Sequence, residues 1–349
     1  MYDAAPPHPA QKQSSPWGVF AVWAVVLVLA IAAAVVAIWQ VNERIYTPEA
    51  AAEQYWEDLS AGNGSAALGH LSSVPEFVNA ETDAEGEGAV DHLLLSGDPL
   101  QRSIEQLSSA AVTETEGGAE LNFTVGEEDY STAVPLVRGD SIWGFFDDWQ
   151  IAPSAVTWFE VEVPGAPQGG IGQVQVNGEP VNLDQERAAL SAFVPTAVDI
   201  EIDSQWLVGS AQHVVLNAED NGNEAHRVTI DLEASDEAVD LLHTEIQEYF
   251  DSCDQPVLMP AGCPVGVSTN HQVDPDTIDW EFPDPEVATL TFDAEGWHVS
   301  YDHLVAEVSF QARHHHTGEQ LTETEQVSFG LDIQVGASGE DLIISVTGR

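Results

Sequence analysis

Residues able to do chemistry fall into a few short stretches of the 349-residue chain. Cys253 and Cys263 lie close together around Pro256, Pro260 and Gly262, which turn the chain back on itself, so the spacing predicts one disulfide. Such a crosslink restricts the unfolded chain and contributes about 2 to 3 kcal/mol. Zinc held by the same pair with His271 lacks a fourth ligand and fits no common zinc spacing. His314, His315 and His316 precede Thr317-Gly318 near the tip of a hairpin. Alternate strand residues share a side, so His314 and His316 could hold a metal while His315 points away; a solvated loop tip is the competing reading, because no third ligand is assigned. Asn217 to Glu224 imitates a calcium loop, but Val228 stands where a bidentate Glu is required, and a polar hairpin connection explains the stretch. Trp143, Phe145, Phe146 and Trp149 either line a pocket or pack in a core. Asp147-Asp148 is a possible acid–base pair in a chain where carboxylates are too common to be informative. Neither a Gly-x-Ser-x-Gly elbow, a phosphate loop nor a His-Glu-x-x-His helix occurs, so a non-enzymatic protein without a cofactor is expected.

The elements that must position these residues divide into an anchor and three units. Residues 17–39 read WGVFAVWAVVLVLAIAAAVVAIW, with no charge between Lys12 and Glu43. As a helix this run covers roughly 34 Å, against a hydrocarbon core of about 30 Å, so it spans a membrane once, with Trp17 and Trp39 at the two headgroup levels. Cleavage at Ala32, Ala33 or Ala34 is the alternative, but the apolar run exceeds that of a signal peptide. Residues 1–16, rich in Pro, Ser and Gln, read as a disordered cytoplasmic tail. A plasma-membrane protein with its N-terminus inside and its folded mass extracellular follows, and a disulfide suits that compartment.

Residues 46–153 begin with Thr47-Pro48-Glu49, an N-cap, a first-turn proline and a first-turn acid, and Ala52, Tyr55, Trp56 and Leu59 then share a face. Strands are expected at Gln106–Thr115, Glu120–Val125, Tyr130–Val137 and Ser141–Ile151, making an α+β unit. Residues 156–233 alternate apolar and polar throughout, with Asn177-Gly178 between two strands as a hairpin signal, so a small β-sandwich is expected. Residues 235–349 open with Ser235 as N-cap of a helix and continue with strands at Thr277–Phe282, Ala288–Phe292, His298–Arg313, Thr322–Val335 and Leu342–Val346. One helix on a curved antiparallel sheet is the expectation.

Asp and Glu number 59 against 8 Lys and Arg, a formal net charge of −51, and all of it follows the anchor, because Asp3 and Lys12 cancel in residues 1–39. Self-repulsion on this scale opposes compaction unless ions screen it, and at about 1 M salt the Debye length is only about 3 Å, so a halophilic source is expected. Nucleic acid is excluded as a partner, because no clustered Lys and Arg meet its phosphates. A cell-wall or membrane-protein partner, and a salt-screened acidic surface, remain.

Thr47-Pro48-Glu49-Ala50-Ala51, Val174-Gln175-Val176-Asn177-Gly178, and Ser252-Cys253 followed by Pro260-Ala261-Gly262-Cys263-Pro264 carry a resemblance. The chain resembles actinobacterial single-pass envelope proteins whose outer domains are nuclear-transport-factor-2-like, and the teicoplanin-resistance-associated envelope proteins, although it lacks the cytoplasmic zinc-ribbon cysteines of the latter. That resemblance implies a single N-terminal transmembrane helix plus α+β (nuclear-transport-factor-2-like) and all-β extracytoplasmic domains. A non-enzymatic envelope protein acting as a scaffold or interaction module is expected, or, alternatively, a binding protein that holds a small molecule or wall fragment in a cavity of the first unit.

Overall fold

The structure, a computed structural model, describes residues 16–79, 90–115, 118–141, 146–215, 226–338 and 341–349. Helix α1 (Pro16–Asn42) contains the apolar stretch Phe20–Asn42, none of which is buried against the rest of the chain. An uncharged helix of this length with no protein cover is suited to cross a bilayer once. Side chains are described from Phe20 onward, so of the two expected end residues Trp39 is placed, exposed, and Trp17 lies outside the described side chains.

The first unit starts as the sequence indicates. Thr47 Oγ1 accepts the Ala50 N–H at 3.1 Å, capping helix α2 (Pro48–Ser60), whose proline occupies a turn that needs no N–H donor. Short helices α3 (Gly64–Gly69) and α4 (Glu76–Asn79), a two-residue strand β1 (Val90–Asp91) and helix α5 (Gly97–Glu105) follow. Strands β2 (Ser108–Thr115), β3 (Gly118–Val125) and β4 (Glu128–Val134) form an antiparallel meander. Ala119, Leu121, Phe123 and Val125 of β3 are all buried, the alternation of a sheet with one dry face. That face receives Ala52, Tyr55 and Leu59 of α2 and Leu100 and Ile104 of α5. The expected strand Ser141–Ile151 is shorter: β5 (Leu136–Arg138) pairs with β6 (Trp149–Ile151), with Arg138 opposite Trp149.

The middle unit comprises β7 (Val156–Glu162), β8 (Gln173–Val176), β9 (Glu179–Asn182), β10 (Arg187–Phe193), β11 (Thr196–Asp203), β12 (Leu207–Val215), β13 (His226–Thr229) and β14 (Glu233–Ala234). One sheet has the order β1-β10-β7-β13 and the other β14-β12-β11-β8-β9. Phe159, Val161 and Leu190 of the first face Val176, Ile200 and Leu207 of the second in one sandwich core. Asn177 (φ 49°) and Gly178 (φ 74°) both adopt the left-handed conformation that a two-residue hairpin of type I′ demands. The units interlock rather than follow one another. Strand β1, earlier in the chain, extends a sandwich sheet, while Phe193 and Ala197 are buried in the core of the first unit.

In the last unit, Ser235 Oγ accepts the Ala238 N–H at 3.1 Å and starts helix α6 (Asp236–Cys253). Strands β15 (Gln272–Val273), β16 (Asp279–Glu281), β17 (Ala288–Asp293), β18 (Gly296–Tyr301), β19 (Leu304–Arg313), β20 (Gln320–Phe329), β21 (Leu331–Ser338) and β22 (Asp341–Gly348) follow. A single curved sheet was the expectation; three separate pairings are found, because the expected runs break at Asp302-His303 and at Gly330. Tyr301 Oη binds both the N–H and the C=O of Leu331, so the two breaks are tied to each other. Helix α6 covers Leu290, Leu331, Leu342 and Ile344, and a second core gathers Val265, Trp280, Val308 and Phe310 under the cysteine loop.

The Cys253 and Cys263 sulfurs stand 2.01 Å apart, with their Cα atoms separated by 5.8 Å. Cys253 ends α6, and the bridge pins a loop whose Val257 carbonyl accepts the Trp280 indole N–H at 3.0 Å. Replacing both cysteines by serine is expected to lower unfolding free energy by about 2 to 3 kcal/mol in urea titrations. Unchanged midpoints under oxidising conditions would show that the bridge is not formed.

Candidate functional site

The end of α1 does not dangle from the body. Asn42 donates from Nδ2 to Asp147 Oδ2 at 3.1 Å, and its Oδ1 accepts the Asp147 backbone N–H at 2.9 Å. Arg138 donates to the other carboxylate oxygen of Asp147, and its guanidinium lies 6.0 Å from the centre of the Trp149 ring. One turn past the helix, Tyr46 stacks on Phe146 with ring centres 4.8 Å apart. The β5–β6 hairpin brings these groups together, since pairing of Arg138 with Trp149 returns the chain to the helix end. Hydrogen bonds from Arg138 and then Asn42 hold the Asp147 carboxyl below the usual aspartate range. A depressed value means that this contribution is fully present above the ordinary aspartate pKa and is lost as pH falls through the lowered one. Of the four aromatic residues considered for a pocket, Phe146 and Trp149 stand at this junction, and Trp143 and Phe145 lie outside the described residues.

A second cluster forms around the histidine run. Gln272 opposes Arg313 in the β15–β19 pair, so the antiparallel register carries His271 to His314, with ring centres 5.4 Å apart. His271 Nδ1 bonds the Glu323 carboxylate, whose other oxygen accepts from Thr269 Oγ1 at 3.4 Å. The ring of His316 is 6.1 Å from that of His314. His314 Nδ1 accepts the backbone N–H groups of His316 and Thr317 at 3.3 and 3.2 Å, so this imidazole closes the turn as an Asx side chain would. With its Nδ1 lone pair so used, His314 keeps only Nε2 for any other partner. Separately, ligand atoms of Asp293, Glu295 and His298 lie within 4.8 Å of one another at the exposed β17–β18 turn. The calcium-loop imitation at Asn217–Glu224 lies outside the described residues.

Between the first and middle units opens a cleft of about 400 Å³ lined by Arg102, Glu105, Gln106, Asn177, Gly178, Asp199 and Glu201. Its floor is a closed polar network. Asn177 Nδ2 donates to Pro99 O and Ser103 Oγ at 2.9 and 2.7 Å, its Oδ1 accepts the Asp199 N–H at 2.9 Å, and Arg102 donates to its carbonyl. Gln106 then donates to Asp199 Oδ2 at 2.9 Å. Buried polar groups satisfied in this way rigidify a join. The hairpin signal at Asn177-Gly178 is legible in sequence; that its side chain locks α5 of another unit is not, because the partners are 74 and more positions away. Asn42 and Asp147, 105 positions apart, likewise share no local signal.

No protein-family model, curated protein or solved structure matches the chain.

Proposed function

We propose that the chain is a non-enzymatic, single-pass plasma-membrane protein, cytoplasmic at its N-terminus, whose acidic extracytoplasmic body serves the cell envelope as a scaffold or interaction module. One observation carries this reading. An apolar helix without protein cover is joined to the folded body by paired hydrogen bonds and a ring stack, so whatever surrounds the helix also sets the position of the body. Helices lying over a meander in the first unit support the nuclear-transport-factor-2-like reading, and interlocked cores between units suit a rigid spacer. The partner on this reading is a wall polymer or a membrane protein. Crosslinking with mass spectrometry in membranes of the source organism tests it: adducts between the body and such a partner are expected, and recovery of the body without any would overturn the scaffold. Protease added outside intact spheroplasts should digest the body; a protected body reverses the orientation.

The charge imbalance gives the same proposal a solution test. Two of the arginines, Arg187 and Arg227, are shared between Glu160 and Glu162 on one sheet face, and with 59 Asp and Glu against 8 Lys and Arg the cations are too few to neutralise the carboxylates. Circular dichroism is expected to show a folded body at about 2 M NaCl and loss of structure near about 50 mM, as screening weakens. Equal spectra at both concentrations would remove the halophilic element and leave the anchor untouched.

A further inference from the structure

The junction at the end of α1 has a second consequence, for the lipid surface itself. The span Phe20–Asn42 has 23 residues. The apolar run begins earlier, at Trp17, and with Trp39 at the outer headgroup level Asn42 lies three residues, about 4.5 Å, farther out, still among the outer headgroups. Asp147 is bonded to Asn42 twice, so it lies at the same depth, and Phe146 and Arg138 are held beside it. Outside the span, the large apolar side chains most exposed to solvent among the described residues are Ile45, Val137, Val257, Met259, Val287 and Ile343. Ile45 lies between the helix end and Tyr46, and Val137 lies on β5 beside Arg138 but on the opposite strand face, so two of the six stand within a residue of the junction, on segments far apart in sequence. Arg44 follows the helix end by two residues, and Arg138, bonded to Asp147, keeps its side chain 60% exposed; Glu43, Asp140 and Asp148 lie on the same segments, so the two guanidiniums are the groups there that can meet a phosphate. Exposed aliphatic groups beside half-buried aromatic rings and arginine are a composition that settles into a headgroup layer, where the guanidinium meets phosphate and the apolar groups reach the acyl boundary.

We propose that the β5–β6 end of the first unit, through Ile45, Val137, Phe146 and Arg138, is a second membrane contact that rests on phospholipid headgroups beside the helix exit. The body therefore stands on the bilayer at a fixed height instead of swinging on a tether. This inference rests on the reading of α1 as a membrane span, and the experiment separates the two. The full-length chain, with its two native cysteines oxidised, is reconstituted in nanodiscs of phosphatidylcholine and phosphatidylglycerol, and single spin labels are attached at Val137→Cys, Ile343→Cys and Val36→Cys. Accessibility to oxygen and to a water-soluble nickel chelate is then read by electron paramagnetic resonance. Position 36 should be lipid-exposed, position 343 aqueous, and position 137 at headgroup depth, with nickel accessibility several-fold below that of position 343. A label at 137 as nickel-accessible as that at 343, with 36 still in lipid, overturns the contact and leaves the span intact. An aqueous label at 36 overturns the span itself, and the contact with it.

Discussion

Phe292→Ala is expected to lower the unfolding free energy of the body by about 3 to 5 kcal/mol, the range for truncating a buried aromatic side chain to alanine. Phe292 sits on β17 of the last unit, but its ring is only 7% exposed and belongs to the core of the middle sandwich. Trp297, its cross-strand partner, meets it edge-to-face with ring centres 5.0 Å apart. The loop that closes over the ring does so on glycine: a Cβ on Gly169 would come within 3.1 Å of the ring and one on Gly165 within 3.0 Å. Gly165 also has φ +80°, so both the space and the backbone conformation exclude a larger residue. Truncation leaves a cavity where two units meet, and neither can collapse into it without abandoning its own sheet. Calorimetry should therefore show a lowered melting temperature together with a split of the native transition, as the middle and last units unfold independently. A variant that loses less than about 1 kcal/mol and melts in one transition would show that the ring is not what couples them.

Gly64→Ala is the second substitution with a large effect. Gly64 opens α3, and a Cβ there would stand 1.8 Å from the Leu95 carbonyl oxygen and 2.9 Å from its carbon. Backbone atoms cannot rotate away as a side-chain tip can, so α3 must separate from the turn that carries Leu95. Leu95 and Ala67 are both buried in the first core, and that separation exposes them. A loss of about 3 kcal/mol is expected from overpacking of this kind. Gly69→Ala, in the same helix with nothing within 4 Å of the added atom, serves as the control. There the lower conformational entropy of alanine in the unfolded chain should leave stability equal or slightly raised. Equal urea midpoints for the two variants would contradict the close approach at Gly64.

These two glycines and Phe292 illustrate what a linear reading misses. The helix start at Thr47-Pro48, the cap at Ser235, the Asn177-Gly178 turn and the period-2 strands of the sandwich were legible because each is decided within a few residues. The break at Gly330 was not, since the apolar alternation runs in one phase from Val327 to Val335, and only packing under α6 and around Tyr301 dictates where the chain must change sheet; at Asp302-His303 the alternation shifts by one residue, from Val299 and Tyr301 to Leu304, Ala306 and Val308, a signal that the single expected strand passed over. His314 and His316 stood out as a run. His271 was weighed only beside the cysteine pair, and its place next to His314 was not legible, because strands β15 to β19 intervene before the register brings the two together.

By itself the sequence determined the apolar helix long enough to cross a membrane, the acidity of everything after it, the cysteine pair and the kind of each principal element. All of these are properties of composition or of short-range periodicity, where neighbouring side chains see the same solvent and the same local geometry. Tertiary structure alone decided which distant groups meet: Asn42 with Asp147, Arg102 with the Asn177 carbonyl, His271 with Glu323, and Phe292 with the sandwich core. Closing a long loop costs an entropy that grows only slowly with its length, so such contacts are permitted almost anywhere along the chain and leave no periodic trace in it.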